Sequence, residues 1–377
     1  MERHARSAQR SRNRASALAP VCLLFVLTSA ASSDVPAYLF PEPVIDGLPK
    51  HYICCKTDAS LDVDGRLDEP AWRAAPWTDQ FMDIEGDLKP APRFSTRVKM
   101  LWDDHFFYVA AEMEEPNVWA KLTDRDAVIF YDNDFEVFID PDGDTHEYYE
   151  LEVNAFGTEW DLLLTKPYRD DGTAIDSWDI QGLRTGIWID GTLNDPGDTD
   201  TGWSVELAIP WAVLEECAHK PTPPEDGDQW RINFSRVEWR TEVVDGGYVK
   251  VTEPESGRPL PEDNWVWSPQ GLINMHYPEM WGFVQFSSLA PGTGETAYVP
   301  NPAHAARAAL VRLYYRERTF FGNNTAYTDD LEALRLGDAP VGVNWPPAIS
   351  VTPGSFEASV TTQNGTTLHI SQDGHIW

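Results

Sequence analysis

"YDNDFEVFIDPDGD", residues 131–144, packs six carboxylates into fourteen positions that otherwise read as a strand. Side chains of a strand alternate between its faces, so Phe135, Val137 and Ile139 point one way and Asp132, Asp134 and Glu136 the other. The apolar set belongs to a core, and the acids share the opposite face. "ELEVNAFGTEWD" (150–161) repeats the device, with Glu150, Glu152 and Asn154 alternating with Leu151 and Val153. Two such strands side by side make a carboxylate-and-amide surface. Carboxylates accept paired hydrogen bonds from vicinal sugar hydroxyls, so Glu136 and Asn154 read as saccharide acceptors. The competing reading is a solvated sheet face.

Outward from this stretch, short alternating runs recur. "STRVKMLWDD", "HFFYVAAEME", "TGIWIDGTLN", "GWSVELAIPW", "QWRINFSRVEW" and "MWGFVQFS" all have strand patterning. Asp, Gly and Pro separate them at the spacing of an antiparallel sandwich. Fourteen of the sixteen tryptophans fall between Trp72 and Trp281, which marks one aromatic-rich unit. Helical periodicity is scarce there, limited to a turn in "DEPAWRAAP" and a short helix in "PWAVLEECA". The fold class is all-β, an antiparallel β-sandwich over residues 32–288, followed by a small α+β domain. A Pro/Gly/Thr-rich linker at 289–302 precedes that domain, which spans 303–377. In it, "AHAARAALVRLYYRERTFF" sets Ala306, Ala309, Leu310, Leu313 and Phe320 near one helical stripe that Gly322 is expected to end. Strands with an Asn364-Gly365 hairpin turn follow.

The first residues follow a different logic. Five arginines precede the apolar run "VCLLFVL", and small residues come after it, the layout of a secretory signal over residues 1–31. A secreted or periplasmic location is expected, with no membrane insertion after cleavage, since the run is too short to span a bilayer. Cleavage takes the formal net charge from −32 to −36, because five Arg and one Glu leave with the signal. So acidic a surface repels nucleic acid and anionic membranes, and it suits neutral ligands and divalent cations. Cys54, Cys55 and Cys217 remain, and pairing of either neighbour with Cys217 stays open.

Three segments together carry a family resemblance: "VDGRLDEPAWRAAPW" (63–77), "VKMLWDDHFFYVAAEMEEP" (98–116) and "DNDFEVFIDPDGD" (132–144). In this order, with "GWSVELAIPW" and "MWGFVQFS" completing the set, the chain resembles the carbohydrate-binding module family 9-like proteins over about residues 45–288. The resemblance implies a β-sandwich that binds oligo- or polysaccharide without cleaving it, holding sugar between aromatic rings, with structural Ca2+ common. The position of one wall of that clamp holds Phe130, followed by Tyr131. The opposite wall falls near Met275 to Tyr277 and is not matched. The strand glutamate is kept as Glu136 and the asparagine as Asn154, whereas an arginine of the family is replaced by Glu152.

The residues themselves add further candidates. Trp160, Trp178 and Trp267 lie at strand ends or in loops, where a stacking platform would be, although a sandwich tryptophan is more often core. Arg236 alternates with Phe234 and reads either as a donor to ligand or as a salt-bridge partner. Asp140, Asp142 and Asp144 surround Pro141 and Gly143 and offer hard oxygen ligands for calcium, or simply make a turn. Two other function classes compete. A glycoside hydrolase needs two carboxylates about 5–10 Å apart. A haem-binding sandwich needs a Met and a His, for which Met280 with His276 is the available pair.

Overall fold

The residues named as strands pair as the alternation requires. The structure, a computed structural model, describes residues 37–44 and 49–377, so the expected signal at 1–31 lies outside the described residues. In chain order the strands are β1 (His51–Lys56), β2 (Met82–Asp83), β3 (Thr96–Trp102), β4 (Phe106–Glu114), β5 (Asp134–Asp140) and β6 (Tyr148–Asn154). There follow β7 (Glu159–Leu164), β8 (Ala174–Ile175), β9 (Arg184–Asp190), β10 (Gly202–Pro210), β11 (Gln229–Glu238), β12 (Thr241–Val244) and β13 (Gly247–Lys250). β14 (Asp263–Val266) and β15 (Gly282–Ser287) complete the main sheet, and β16 (Val343–Thr352), β17 (Ser355–Thr362) and β18 (Thr367–Ser371) lie beyond it.

Among the described residues thirteen strands form one sheet, whose main path runs β8-β7-β6-β5-β11-β15-β1-β3-β4-β10-β9, with β14 beside β11 and β2 beside β14. The sheet curls so that the apolar faces of its two halves share a core. Val98, Val109, Val137, Leu151, Val205 and Phe234, from six different strands, meet there. Phe135, Val137 and Ile139 all point into this core, which leaves Glu136 on the other face as the alternation demands. One expectation is corrected. The sheet is not wholly antiparallel, because β1 runs parallel to both β15 and β3. The short run "HYICCK" closes the sheet between the last strand of the sandwich and an early one.

The motif at 63–77 is explained by one buried carboxylate. Glu206 on β10 accepts hydrogen bonds from the amides of Asp64 (3.2 Å) and Gly65 (3.3 Å) and from Trp72 Nε1 (2.8 Å). Gly65 has φ +87°, and a Cβ there would meet the Trp188 amide nitrogen at 2.5 Å. Only glycine fits, both for the left-handed backbone and for the space. The motif is therefore a latch that ties the amino-terminal segment to the sheet.

After β15 the long helix Ala303–Asn324 buries Ala306, Ala309, Leu310 and Leu313 of the expected stripe and half-buries Phe320. It does not end at Gly322. A Cβ on Gly322 would lie 2.0 Å from the Tyr38 ring, so this glycine serves a close approach, and Thr325 caps the helix in the left-handed region. β16, β17 and β18 form an antiparallel sheet beside the helix. Helix and sandwich are joined by buried polar contacts: the Tyr314 hydroxyl donates to Asp170 (2.7 Å), and Arg318 pairs with the same carboxylate. Phe40 and Tyr277 share a core with Leu310 and Leu313, and residues Tyr38–Trp377 make one compact unit. Cys54, Cys55 and Cys217 are free thiols.

Candidate functional site

The acid face of β5 and β6 is the floor of a cleft. In the ladder Glu136 pairs with Glu152, and Phe138 pairs with Glu150. On either side, Trp160 of β7 stands opposite Glu152, and Ser235 of β11 stands opposite Glu136. Three segments outside these strands raise the walls: the turn Ile129–Tyr131 brings Phe130, the turn Tyr168–Asp170 brings Tyr168, and the loop after β14 brings Met275 and His276. The resulting space is about 240 Å³, and Glu262 and Asn264 also line it. A larger depression of about 880 Å³ opens beside β9, but there the Arg66 guanidinium already covers the Trp188 ring at 3.3 Å.

Burial sets the electrostatics of the floor. Glu136 is pushed up to about 7 chiefly by loss of solvent, against a hydrogen bond from Ser235 that lowers it. Burial first, and the Glu136 charge second, hold Glu150, Glu152 and Asp134 well above the usual carboxylate range. Glu152 also accepts the Phe130 amide at 2.9 Å, which fixes the aromatic wall to the acid floor. His276 is pushed down to about 4 by burial and then by Arg169, and its Nδ1 lies 2.9 Å from the Tyr148 hydroxyl. It is neutral at neutral pH.

The structure brings together three of the sugar-contact candidates, Phe130, Glu136 and Trp160, in this cleft. Tyr131 is exposed on the rim, its ring 4.8 Å from that of Phe130. The other four lie elsewhere. Asn154 is wholly buried, and its amide is used up: Nδ2 donates to the Leu122 carbonyl (2.9 Å) and Asp132 (3.0 Å), while Oδ1 accepts from the amides of Phe156 (3.0 Å) and Thr158 (3.1 Å). It is a clamp on the segment that leads to Phe130. Trp178 stacks on Tyr149 at 4.9 Å on the core side of β6 and donates to Glu216. Trp267 is buried against Phe234, with Gly282 packed over its ring. Arg236 is enclosed between Glu115 and Glu238, each at 2.9 Å, so it is a core salt bridge rather than a donor to ligand. Tyr168, Glu262 and Asn264 escaped the sequence reading, because they reach the cleft from loops and a short strand whose placement local pattern does not give.

The aspartates of the 140–144 turn divide. Asp140 is buried and accepts the amides of Gly143 (2.8 Å) and Thr145 (3.0 Å), so it closes the turn on itself. Asp142 and Asp144 offer oxygens that lie, with a nitrogen of His219, within 4.8 Å of one another. Asp142 is 2.7 Å from His219 Nδ1, and Asp144 is 3.0 Å from His375 Nε2. His276 and Met280 do not make a pair: His276 faces Tyr148, whereas Met280 packs against the cluster around Leu310 and Tyr315.

A curled β-sandwich with an aromatic-walled, carboxylate-floored cleft defines a class of binding domain. The chain belongs to the carbohydrate family 9 binding domain-like family, whose model matches residues 63–254. Among curated proteins none matches. Solved structures similar to the chain include a carbohydrate binding module family 9 from Caldicellulosiruptor kristjanssonii in complex with cellotriose, at 16% identity and TM-score 0.40 over 67% of this chain and 100% of that one. The same organism's module in complex with glucose is similar at 15% identity and TM-score 0.41, over 66% of this chain and 100% of that one. No helix among the described residues is long and apolar enough to cross a membrane.

Proposed function

We propose that the chain binds saccharide, without cleaving it, in the cleft between Phe130, Trp160 and Tyr168. The observation that carries this reading is the convergence of those rings on Glu136, Glu150 and Glu152 from three separate chain segments. Rings stack on the apolar face of a pyranose, and carboxylates accept its hydroxyls. Membership of the family supports it.

The amino-terminal pattern supports export, and an exported binder of this kind would assist the breakdown of polysaccharide by holding it. Structural calcium at the 140–144 turn is part of the same proposal. Carboxylate oxygens suit a hard cation, and Asp142 and Asp144 are its ligands here, with Asp140 shaping the turn. The imidazole of His219 fits calcium less well. A glycan array with the purified protein, followed by assay of each retained oligosaccharide for new reducing ends, tests the function. Retention without new ends is expected. Release of new ends on incubation would establish a hydrolase instead.

A further inference from the structure

The floor of the cleft is more acidic than a neutral sugar requires. Glu136, Glu150, Glu152 and Glu262 all line it. Beneath them a carboxylate oxygen of Asp134 lies within 4.8 Å of oxygens of Glu136 and Glu152. Asp134 is fully buried, and its Oδ2 has no hydrogen-bond partner among the described residues. Like charges placed directly opposite across a ladder destabilise a sheet, and an unpartnered buried acceptor costs more.

No cation among the described residues pairs with Glu136, Glu150 or Glu152, although the Lys250 charge is felt at Glu262 and Asp134. Arg169, behind His276, pairs with Asp170 and Glu279. Lys250 sits over the Trp239 ring with Nζ 3.2 Å from its centroid. His276 is held neutral by burial. Burial favours the protonated form of these acids, and sugar hydroxyls bring no charge that would let the floor ionise. An ammonium group brings three donors and a positive charge, and the rings around the cleft also favour a cation over their faces.

We infer that the cleft takes an amino sugar, with the protonated amine of a glucosamine unit seated between Glu136, Glu150 and Glu152 while its ring stacks on Trp160 and Phe130. This rests on the cleft being the saccharide site. A quaternary ammonium has no N–H to give these carboxylates, and a lysine side chain has no ring to stack, so the amino sugar uses both halves of the cleft.

Calorimetry of the full chain with three trimers tests it: deacetylated glucosamine trimer, N-acetylglucosamine trimer and cellotriose. The deacetylated trimer is expected to bind at least about tenfold tighter than the other two, one charge-assisted contact's worth of affinity. Glu150→Gln with Glu152→Gln should erase that preference, so that the three trimers bind with equal affinity, whatever loss all three share. Equal or tighter binding of cellotriose or the acetylated trimer, lost in Trp160→Ala, would overturn the amino-sugar inference and keep the cleft as a neutral saccharide site. A preference that persists in the double variant would assign it to the net negative charge of the chain, and the inference fails. Binding of no trimer would sink both this inference and the function on which it rests.

Discussion

Glu136 stands directly across the β5–β6 ladder from Glu152, two carboxylates in a cross-strand pair on a buried face. Such a pair costs the fold stability, and the cost depends on pH. A glutamate held up to about 7 in the folded chain and near 4.3 when unfolded favours folding while it is protonated. Its contribution is fully present below pH 4.3 and is lost as pH rises through 7.

Glu136→Gln is therefore expected to stabilise the chain at pH 8, by about 1–3 kcal/mol, and to change little at pH 5. The difference between variant and parent isolates this group from the buried histidines. His276 and His304, pushed down to about 4 and about 3, weaken the fold as pH falls below 6.5. Urea melts of both proteins at the two pH values check it. A variant that loses stability at pH 8 would show that the Glu136 carboxylate is compensated in the fold.

Asn154 behaves differently. All four of its bonds are buried or partly buried, so Asn154→Ala should cost about 2–4 kcal/mol and loosen the segment carrying Phe130. A saccharide acceptor on an open sheet face, as Asn154 reads in the sequence, would instead weaken ligand and leave the fold intact. Equal denaturation midpoints for parent and variant would restore that view.

The linker at 289–302 sets residues 32–288 apart as a domain, but the packing predicts that they do not fold alone. Removing the carboxy-terminal helix strips Tyr314 and Arg318 from the fully buried Asp170, leaving only Arg169 beside it. Breaking one side of a buried ionic cluster costs roughly 3–5 kcal/mol. The fragment should be insoluble, or should melt without cooperativity. A soluble fragment with a sharp thermal transition would show that the tail is dispensable.

Chelation tests the turn. If Asp142 and Asp144 hold calcium, a chelator lowers the melting temperature, excess calcium restores it, and Asp142→Asn abolishes the response. Unchanged melting in chelator retires the ion and leaves His219 and His375 as the partners of these acids.

Much of this was legible in the sequence, for reasons that also mark where legibility ends. Alternation placed Phe135, Val137 and Ile139 in the core and Glu136 on the face that became the cleft, because the period of two is a local property. It could not tell which polar residues on that face stay available. Asn154 and Arg236 have the chemistry of ligand contacts, yet Leu122, Asp132, Glu115 and Glu238 consume them from distant parts of the chain. Gly322 looked like a helix stop because glycine often is one, whereas its role depends on Tyr38, far away in sequence. Tyr168 and Glu262 reach the site through tertiary placement alone.

The central claim is that sugar binds between the aromatic walls and the acid floor. Its most direct test is calorimetry with the best oligosaccharide from the array, on the parent chain and on Trp160→Ala, with circular dichroism to confirm that the variant is folded. Trp160 is half-buried at the cleft, and loss of one stacking surface should weaken binding about ten- to hundredfold, or 1.4–2.7 kcal/mol, without unfolding the sheet. A folded Trp160→Ala chain that binds the sugar as tightly as the parent would contradict the account and move the site away from this cleft.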